Sequence, residues 1–460
     1  MAKMSQLIAQ AGFTILSVSL VAGCYQSHLN THVSLVSQAH QDLLTSQQAS
    51  SKTVSADASS LRLSVDKAVE LALINDADLK IDKATLLMAR ADIDASTQLE
   101  NPQIRYSQEK LESGFGEDTR MDVQFRVEPP RPGELSAREA IAQADHRVAS
   151  ARLNMTKIRV ASKIRALFRE IGFVQELLAM THTSIQSGSE LVALAETRAE
   201  QGLGTQIDVA LTTLAHEEVK QDATELAAEL DILRETLLRR VGLPANTELD
   251  LQIPELDLTP LEELAPESAL ITQALANRLE LEVATARVEQ STARSYLERS
   301  RAWPWLSQIR VGYEMRTGNE FEGAVTGGIS LEVPLFNLNG GEIDKAEARE
   351  TLRAAELEEA VEQVVAHVKK QYRLVQAAAE AVETIQRGTL KAANDATKAA
   401  QEAMQAGRID IQGLTQIEVQ ANAAHRKRLK ALRRYHQKLD ELSDAVGGQS
   451  NLTASSTSAP

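Results

Sequence analysis

The sequence has little of three residue types that limit what the protein can be. It is 460 residues long and has one cysteine, which excludes an internal disulfide framework and a zinc site of two or four cysteines. Aromatic residues make up only 3 %. Cations are the minority charge, because 49 Lys and Arg stand against 64 Asp and Glu, giving a net charge of −15. This balance argues against nucleic acid as the main partner, since phosphate binding needs clustered cations.

Motifs for catalysis or cofactor binding are also missing from the sequence. There is no Gly-x-Gly-x-x-Gly, no phosphate-binding loop and no His-Glu-x-x-His, because His216-Glu217-Glu218 lacks the second histidine. His28 and His32 lie in a polar N-terminal segment, where a solvated linker is favoured over a weak metal contact. We therefore expect no enzyme, no metal site and no bound cofactor.

The first 23 residues have the pattern of a secretory signal peptide. Lys3 precedes an apolar stretch over residues 7–22 that polar residues interrupt, so the stretch is a poor membrane-spanning helix. Cys24 follows Leu20-Val21-Ala22-Gly23, a string that resembles the bacterial lipobox. We predict that Cys24 carries a covalent lipid as the first residue of a mature chain of net charge −16. The alternative is a free, buried thiol. Tyr25, in place of Asp, fits passage to the outer membrane.

Proline divides the rest of the chain. None of the eleven prolines falls within residues 1–101, 133–243 or 335–459, and these stretches are rich in helix-forming Ala, Glu, Leu, Gln and Lys. Residues 24–60 are rich in Ser and Gln and predict a tether. Residues 243–267 predict a Pro-rich linker, and residues 447–460 a disordered tail.

Sequence landmarks recur in order at offsets of 202 to 205 residues. Ala72-Leu73-Ile74-Asn75 returns as Ala274-Leu275-Ala276-Asn277, Gln103-Ile104-Arg105 as Gln308-Ile309-Arg310, and Val241-Gly242 as Val446-Gly447. The chain therefore contains two copies of one unit, residues 61–242 and 268–446, joined by the linker.

Each copy is predicted to hold a helix, a β-hairpin, a long helix, a tip turn and a last helix. The hairpins are residues 101–133 and 303–341, and the tip turns are 202–207 and 407–410. The long helices, 134–201 and 342–406, have 68 and 65 residues, which is roughly 100 Å each. Flanking helices of about half that length are predicted over residues 66–99, 207–241, 268–301 and 409–446. Long helices paired with two stacked short ones favour a hollow coiled-coil wall, whereas a solid bundle would need more large apolar residues.

The hairpin segments alternate between apolar and polar residues. Met121, Val123, Phe125 and Val127 are interleaved with Asp122, Gln124, Arg126 and Glu128. Eight of the fifteen aromatic residues lie in the two hairpins, which is typical of membrane-barrel strands with aromatic girdles. The alternative is a half-solvated soluble hairpin. Four strands cannot close a membrane barrel, so strands in a membrane would require an oligomer.

Three strings carry a resemblance to a known family over residues 62–447. They are Asn101-Pro102-Gln103-Ile104-Arg105, the corner Val127-Glu128-Pro129-Pro130-Arg131-Pro132-Gly133-Glu134-Leu135, and Leu331-Glu332-Val333-Pro334-Leu335-Phe336. In order and spacing the chain resembles the TolC-type outer-membrane efflux proteins, including their lipid-anchored members.

The resemblance implies a mainly α fold with a membrane β-barrel part. A long coiled-coil α-helical tunnel and four β-strands per chain would close a 12-stranded barrel in a homotrimer. It also implies a periplasmic adaptor and an inner-membrane pump as partners, in the outer membrane of a Gram-negative bacterium. The implied function is a passive duct that carries small molecules, such as drugs or metal ions, from periplasm to exterior.

The resemblance further places adaptor contacts and an acidic constriction at the periplasmic tip. Asp208 and Asp410 match the acidic position after the tip turn, and a trimer would hold six such carboxylates. The alternative is that each Asp caps a helix. Gly413 stands near the place where some relatives carry a second Asp. The adaptor-contact candidates are Gly202, Leu203, Gly204, Thr205, Gly407, Arg408 and Ile409.

Two other functions remain open from the sequence. One is the outer-membrane duct of a type I protein secretion system, because the inner-membrane pump selects the cargo. The other is a coiled-coil lipoprotein that bridges the layers of the envelope without a pore. Soluble strands would favour the bridge.

Overall fold

The structure is a computed structural model, and it describes residues 61–113, 116–244, 247, 249–253, 264–317, 321–448 and 452. The described residues fall into two compact units. The smaller unit contains residues 61–63 and 243–251, and the larger contains residues 64–242 with those from 252 onward. The predicted signal peptide, Cys24 and the tether 24–60 lie outside the described residues.

The first repeat contains three strands and four helices, and its hairpin, long helix and last helix follow one another in the predicted order. Its elements are β1 Leu61–Ser64, α1 Val65–Asn75, α2 Ala77–Ser96, β2 Gln103–Ser113, β3 Gly116–Val127, α3 Glu134–Glu200 and α4 Gln206–Val241.

The second repeat follows the same plan. Its elements are β4 Leu249–Gln252, α5 Glu267–Asn277, α6 Leu279–Ser300, β5 Trp305–Thr317, β6 Phe321–Glu332, α7 Gly340–Thr384, a π-helix over Ile385–Leu390, α8 Lys391–Gln405 and α9 Ile411–Val446.

In the smaller unit, β1 and β4 form a two-stranded sheet. An ion pair of 3.3 Å joins Arg62 Nε to Asp250 Oδ2, and because both side chains are exposed it contributes little stability. Strand β4 lies within the predicted linker 243–267. That segment is therefore not entirely irregular, and the reason is the alternation of apolar and polar residues in Leu249-Asp250-Leu251-Gln252.

The flanking helices before the hairpins are interrupted, so the prediction of continuous helices over residues 66–99 and 268–301 is wrong. Asp76 (ψ 131°) and Arg278 (ψ 116°) are extended and end α1 and α5. The Asp76 carboxylate then accepts hydrogen bonds from the backbone N–H of Asp78 and Leu79, at 2.9 and 3.2 Å, and starts α2. Asn-Asp before Ala-Asp-Leu is a capping signal within an otherwise helical pattern.

The long helix of the second repeat is also modified, because a π-helix separates α7 from α8 at residues 385–390. Gly388 has low helix propensity, and its β-branched neighbours Ile385 and Thr389 lower the propensity further. The corresponding helix of the first repeat, α3, is α-helical throughout its 67 residues, or about 100 Å.

Both long helices start after a residue in the left-handed conformation. Gly133 (φ 77°) precedes α3, and Asn339 (φ 57°) precedes α7. Asn tolerates this conformation better than most residues with a side chain. The Asn339 side chain is held by a hydrogen bond of 2.9 Å from its Nδ2 to the carbonyl oxygen of Glu298. The two starts are therefore equivalent although their sequences differ.

The landmarks of the sequence repeat meet in space at the end of each last helix. Asn75 Nδ2 donates a hydrogen bond of 2.8 Å to the carbonyl oxygen of Val241, and Gly242 (φ 79°) ends α4. In the second repeat Gly447 (φ 107°) ends α9 beside Asn277. A Cβ on Gly242 would lie 2.7 Å from Asn75 Cβ, and one on Gly447 would lie 3.0 Å from Asn277 Cβ. Glycine is thus required by both backbone and packing.

The two repeats pack side by side through their helices. Helix α3 contacts α1, α2 and α4 of its own repeat, and also α6 and α9 of the second. Helix α7 contacts α5, α6 and α9. The part of α3 nearest the sheet buries small residues, which allow neighbouring helices to approach closely. These residues are Ala137, Ala142, Ala144, Ala149 and Ala151.

A cluster of buried residues, nearly all from the second repeat, forms a hydrophobic core. Val368, Val375 and Val382 recur every seven residues of α7, the spacing of a coiled-coil seam. Leu452 joins this cluster, and its carbonyl oxygen accepts a hydrogen bond of 2.9 Å from the backbone N–H of Ala265. The prediction of a disordered tail from residue 447 is therefore wrong at Leu452, because an apolar side chain is buried there against the linker end.

The contact between Asn75 and Gly242 supplies a test of the repeat packing. We expect Gly242→Ala to lower the thermal unfolding midpoint, since left-handed Ala costs about 1–2 kcal/mol and its Cβ would also collide with Asn75. Circular dichroism of the detergent-solubilised protein measures the loss. The matched control is Gly407→Ala, which has the same left-handed strain (φ 65°) but no atom within 4 Å of its Cβ. Equal losses in the two variants would contradict the packing role.

Candidate functional site

The four longer strands form one antiparallel sheet of order β2-β3-β5-β6. The pairing of β3 with β5 joins the two repeats, with Phe125 opposite Val311 and Arg126 opposite Arg310. Strands β2 and β6 lie at the two edges and each has one partner within the chain. A sheet of four strands with two long free edges is incomplete by itself.

One face of this sheet, the apolar face, carries exposed aliphatic and aromatic side chains from all four strands. The exposed fraction reaches 76 % at Ile104, 79 % at Val325 and 73 % at Ile329. Contiguous exposed apolar surface of this kind marks a membrane or protein contact. The exposed members are Ile104, Tyr106, Val123, Phe125, Ile309, Val311, Tyr313, Val325, Ile329 and Leu331.

The opposite face, the polar face, is charged. Arg120 Nη2 donates a hydrogen bond of 2.6 Å to Glu314 Oε2 across the β3–β5 pair, and Gln124 Nε2 donates to Asp122 Oδ2. Cross-strand rows of this face are Gln103–Arg126–Arg310–Gly328, Arg105–Gln124–Gly312–Thr326 and Ser107–Asp122–Glu314–Ala324. The apolar face is therefore suited to contact with lipid, and the polar face is suited to contact with water.

The corner between sheet and helices is fixed by Arg131, from the proline-rich string after β3. Its Nη1 donates to the carbonyl oxygen of Trp303 at 2.8 Å, and its Nη2 donates to Glu332 Oε2 at 2.6 Å. Trp305 Nε1 donates to the carbonyl oxygen of Pro129 at 2.9 Å. Segments of both repeats are therefore tied together where the strands meet the helices.

The two tip turns have the same backbone geometry. Gly202 (φ 71°) follows the end of α3, and Gly407 (φ 65°) follows the end of α8. In each case the backbone N–H of the residue after the glycine closes the helix end. Leu203 N donates to Arg198 O and Arg408 N to Ala403 O, both at 2.8 Å, as in Schellman motifs. Leu203, Thr205 and Arg408 are exposed, and Gly204 and Ile409 are half-buried. The adaptor-contact candidates thus form two matching turns, and their role remains a prediction.

Asp208 and Asp410 both cap helices, but they are not equivalent. Asp208 forms a capping box with Thr205, since its Oδ2 accepts from Thr205 N at 2.8 Å. Asp410 is itself the N-cap of α9, and its Oδ1 accepts from Gly413 N at 2.8 Å. The N-cap of α4 is Thr205, which stands one repeat of 205 residues before Asp410, so Asp208 corresponds to Gly413. Asp208 and Asp410 therefore occupy different positions of the repeat, and the capping alternative describes their contacts. Their part in an acidic constriction remains a prediction.

The two turns lie at the same end of the helices. The buried hydroxyls of Thr212 and Thr415, a short way above each turn, are 3.5 Å apart. Near this level the structure adds an acidic group that the sequence analysis missed. Burial, and then the charge of Glu190, raise the pKa of the Glu418 carboxyl. In the sequence, the position of Glu418 between two apolar residues, Ile417 and Val419, could have indicated this buried carboxyl.

Charged pairs also link the repeats in the middle of the helices. Arg433 of α9 donates to Glu170 of α3 and, at 2.7 Å, to Glu229 of α4. Arg169 and Asp440 form an ion pair of 2.8 Å, where burial raises the pKa of Asp440 and Arg169 opposes the rise. All of these groups except Glu229 line a cleft of about 360 Å³ between α3, α4 and α9.

No helix in the described part of the chain combines the length and apolarity needed to cross a membrane. Within the same residues, no three His, Cys, Asp or Glu side chains are gathered as metal ligands.

Comparisons with known proteins agree on the fold. Residues 270–448 match the family model described as outer membrane efflux protein. The outer-membrane channel OprN is 17 % identical with a TM-score of 0.71, over 84 % of this chain and 90 % of OprN. CusC, whose structures concern transmembrane channel formation, is 16 % identical with a TM-score of 0.69, over 84 % and 92 %. VceC, an outer membrane protein from Vibrio cholerae, is 16 % identical with a TM-score of 0.69, over 84 % and 96 %. No curated protein matches the chain.

The fold is that of the outer-membrane channel proteins, with long helices and a barrel-type sheet. The family match covers the second repeat, and the likeness in fold covers 84 % of the chain. The predicted resemblance and the predicted fold class are thereby confirmed. Closure of the barrel in a trimer remains a prediction.

The hydrogen bond that Asp410 accepts from Gly413 N supplies a test of its role as a helix cap. We expect Asp410→Ala to weaken the first turn of α9 by about 1 kcal/mol and to speed amide exchange at Gly413, because the cap is lost. Asp410→Asn retains the capping oxygen and is the matched control. Hydrogen exchange measured by mass spectrometry compares them, and indistinguishable exchange in the two variants would contradict the capping role.

The same pair tests the acidic constriction. If the Asp410 carboxylate attracts cations at the tip, Asp410→Asn will lower the cation preference of single channels although its helix is intact. Unchanged channel behaviour in Asp410→Asn would leave Asp410 as a helix cap.

Proposed function

We propose that this protein is the outer-membrane component of a tripartite efflux system, a passive homotrimeric duct that carries small molecules from periplasm to exterior. It is not an enzyme and holds no cofactor apart from a lipid on Cys24. The cargo is a drug-like solute or a metal ion that the inner-membrane pump selects. The family and the two-faced sheet support this proposal.

The observation that carries the proposal is the sheet. Its apolar face exposes Ile104, Val325 and Ile329 to the surroundings, and its polar face holds an arginine–glutamate pair. Strands in lipid must have every backbone group paired, so an open edge is not tolerated there. The sheet therefore fits a membrane only as part of a closed barrel with water inside.

Three copies of the chain satisfy this requirement. Four strands from each copy give twelve, above the minimum of about eight for a membrane barrel, when β6 of one copy pairs with β2 of the next. The helices support the same assembly. Ile81, Leu87 and Met88 of α2 are about two-thirds exposed, and a second copy would cover them.

In the trimer, the helices form a periplasmic tunnel and the tip turns face the partners. The exposed turns at Gly202 and Gly407 are suited to contact a periplasmic adaptor, which connects the duct to an inner-membrane pump that supplies the energy. The duct needs no catalytic residues of its own. Its work is to provide a polar path and a closed resting end.

A single experiment tests the assembly. The protein is extracted in mild detergent, and its mass is measured in that detergent together with negative-stain images. We expect a threefold hollow cylinder longer than about 100 Å, because α3 alone has that length. A solid rod, or a monomer that needs no detergent, would contradict the duct and favour an envelope-bridging protein without a pore.

The lipid on Cys24 is an anchor and not part of the assembly. We expect Cys24→Ala to weaken membrane attachment but to leave the trimer intact, since the strands and helices hold the copies together. Membrane fractionation and the mass in detergent measure the two effects. A Cys24→Ala protein that is monomeric after mild extraction would contradict this division of roles.

A further inference from the structure

Three arginines stand together on the polar face of the sheet, at its helix-side end. Arg126 of β3 and Arg310 of β5 are direct cross-strand partners. Arg105 of β2 is paired with Gln124, which places it diagonally to Arg126. Side chains in direct pairs have Cβ atoms about 5 Å apart, and diagonal neighbours are roughly 7–8 Å apart. The three guanidinium groups therefore share one small area.

No carboxylate occupies the rows that contain these arginines. Their row partners are Gln103, Gln124, Gly312, Thr326 and Gly328. Glu128 follows Arg126 by two residues, just beyond the end of β3. The nearest acidic row within the sheet contains Asp122 and Glu314, lies closer to the hairpin turns, and has its Glu314 engaged by Arg120. Like charges directly opposite each other destabilise a sheet. The placement of Arg126 opposite Arg310 therefore works against stability, which points to a role other than stability.

Arg105 and Arg310 are exposed, and Arg126 is half-buried. The Arg126 Nε is buried and has no hydrogen-bond partner among the described protein atoms. Arg310 lies over Gly328, and a Cβ on that glycine would be 3.2 Å from Arg310 Nη2. Because Gly328 has no side chain, the Arg310 guanidinium can lie close to the backbone of β6. A guanidinium offers several N–H donors in a fork that suits carboxylates and phosphates.

We propose that Arg105, Arg126 and Arg310 form a cationic belt that attracts anions inside the barrel. The proposal rests on the proposed function, because the polar face lines a bore only in the closed trimer. Three copies would place nine guanidinium groups around the bore at one level. The solutes that this belt favours are small anions and molecules that carry a carboxylate or phosphate group. In a chain of net charge −15, it is a local reversal of sign.

The test is ion selectivity in planar bilayers. Trimers are reconstituted between unequal KCl solutions, and the reversal potential gives the permeability ratio of chloride to potassium. We expect the triple variant Arg105→Gln, Arg126→Gln, Arg310→Gln to lower this ratio by at least about threefold. The matched control replaces the same three residues by Lys, which keeps the charge, and its ratio should remain near that of the unsubstituted protein.

A second measurement detects binding directly. Inorganic pyrophosphate added to one side should reduce the KCl current of the unsubstituted trimer and leave that of the Gln variant unchanged. If the triple variant does not assemble, Arg310→Gln alone is measured, and a smaller shift in the same direction is expected.

The outcomes distinguish the two proposals. Channels that conduct as trimers but show the same reversal potential and pyrophosphate response in the Gln variant would overturn the belt and leave the duct intact. A protein that forms no trimer and no channel would overturn the proposed function itself.

Discussion

The pairing of backbone groups at the sheet edges is the constraint on which the rest depends. Strands β2 and β6 each end the sheet within one chain, and their outer N–H and C=O groups need partners. Water can supply these partners, but lipid cannot. Because the face next to those edges is apolar and exposed, water is a poor environment for the sheet. In the proposed trimer, other copies of the chain would satisfy both requirements, and the same closure would give a bore with a polar lining.

The joining of the repeats makes such a sheet possible. One hairpin comes from each repeat, and β3 pairs with β5 across nearly two hundred residues of sequence. The corner at Arg131 then fixes where the strands end and the helices begin, through contacts with Trp303 and Glu332 of the other repeat. Long helices extend the protein from this corner. Their small buried residues allow close packing, so length is gained without a thick core.

The two repeats are alike where the backbone geometry demands glycine and differ at neighbouring positions. Left-handed Gly202 and Gly407 follow the ends of α3 and α8, and left-handed Gly242 and Gly447 follow the ends of α4 and α9. Three residues after Gly202 and Gly407 the repeats differ, since Thr205 caps α4 and Asp410 caps α9. The π-helix at residues 385–390 occurs only in the second of the two long helices. A trimer of such chains has threefold symmetry with two distinct kinds of helical hairpin.

The sequence by itself determined the repeat, the long helices and the two faces of the strands, because periodicity, proline and glycine act locally. It did not determine the breaks at Asp76 and Arg278, where a capping residue overrides a helical pattern, or the burial of Leu452, which depends on Ala265 far along the chain. Only the tertiary structure showed that Thr205 and Asp410, which are one repeat apart in the sequence, are both N-caps. Only strand register placed Arg126 opposite Arg310, since alternation assigns a residue to a face but not to a neighbour.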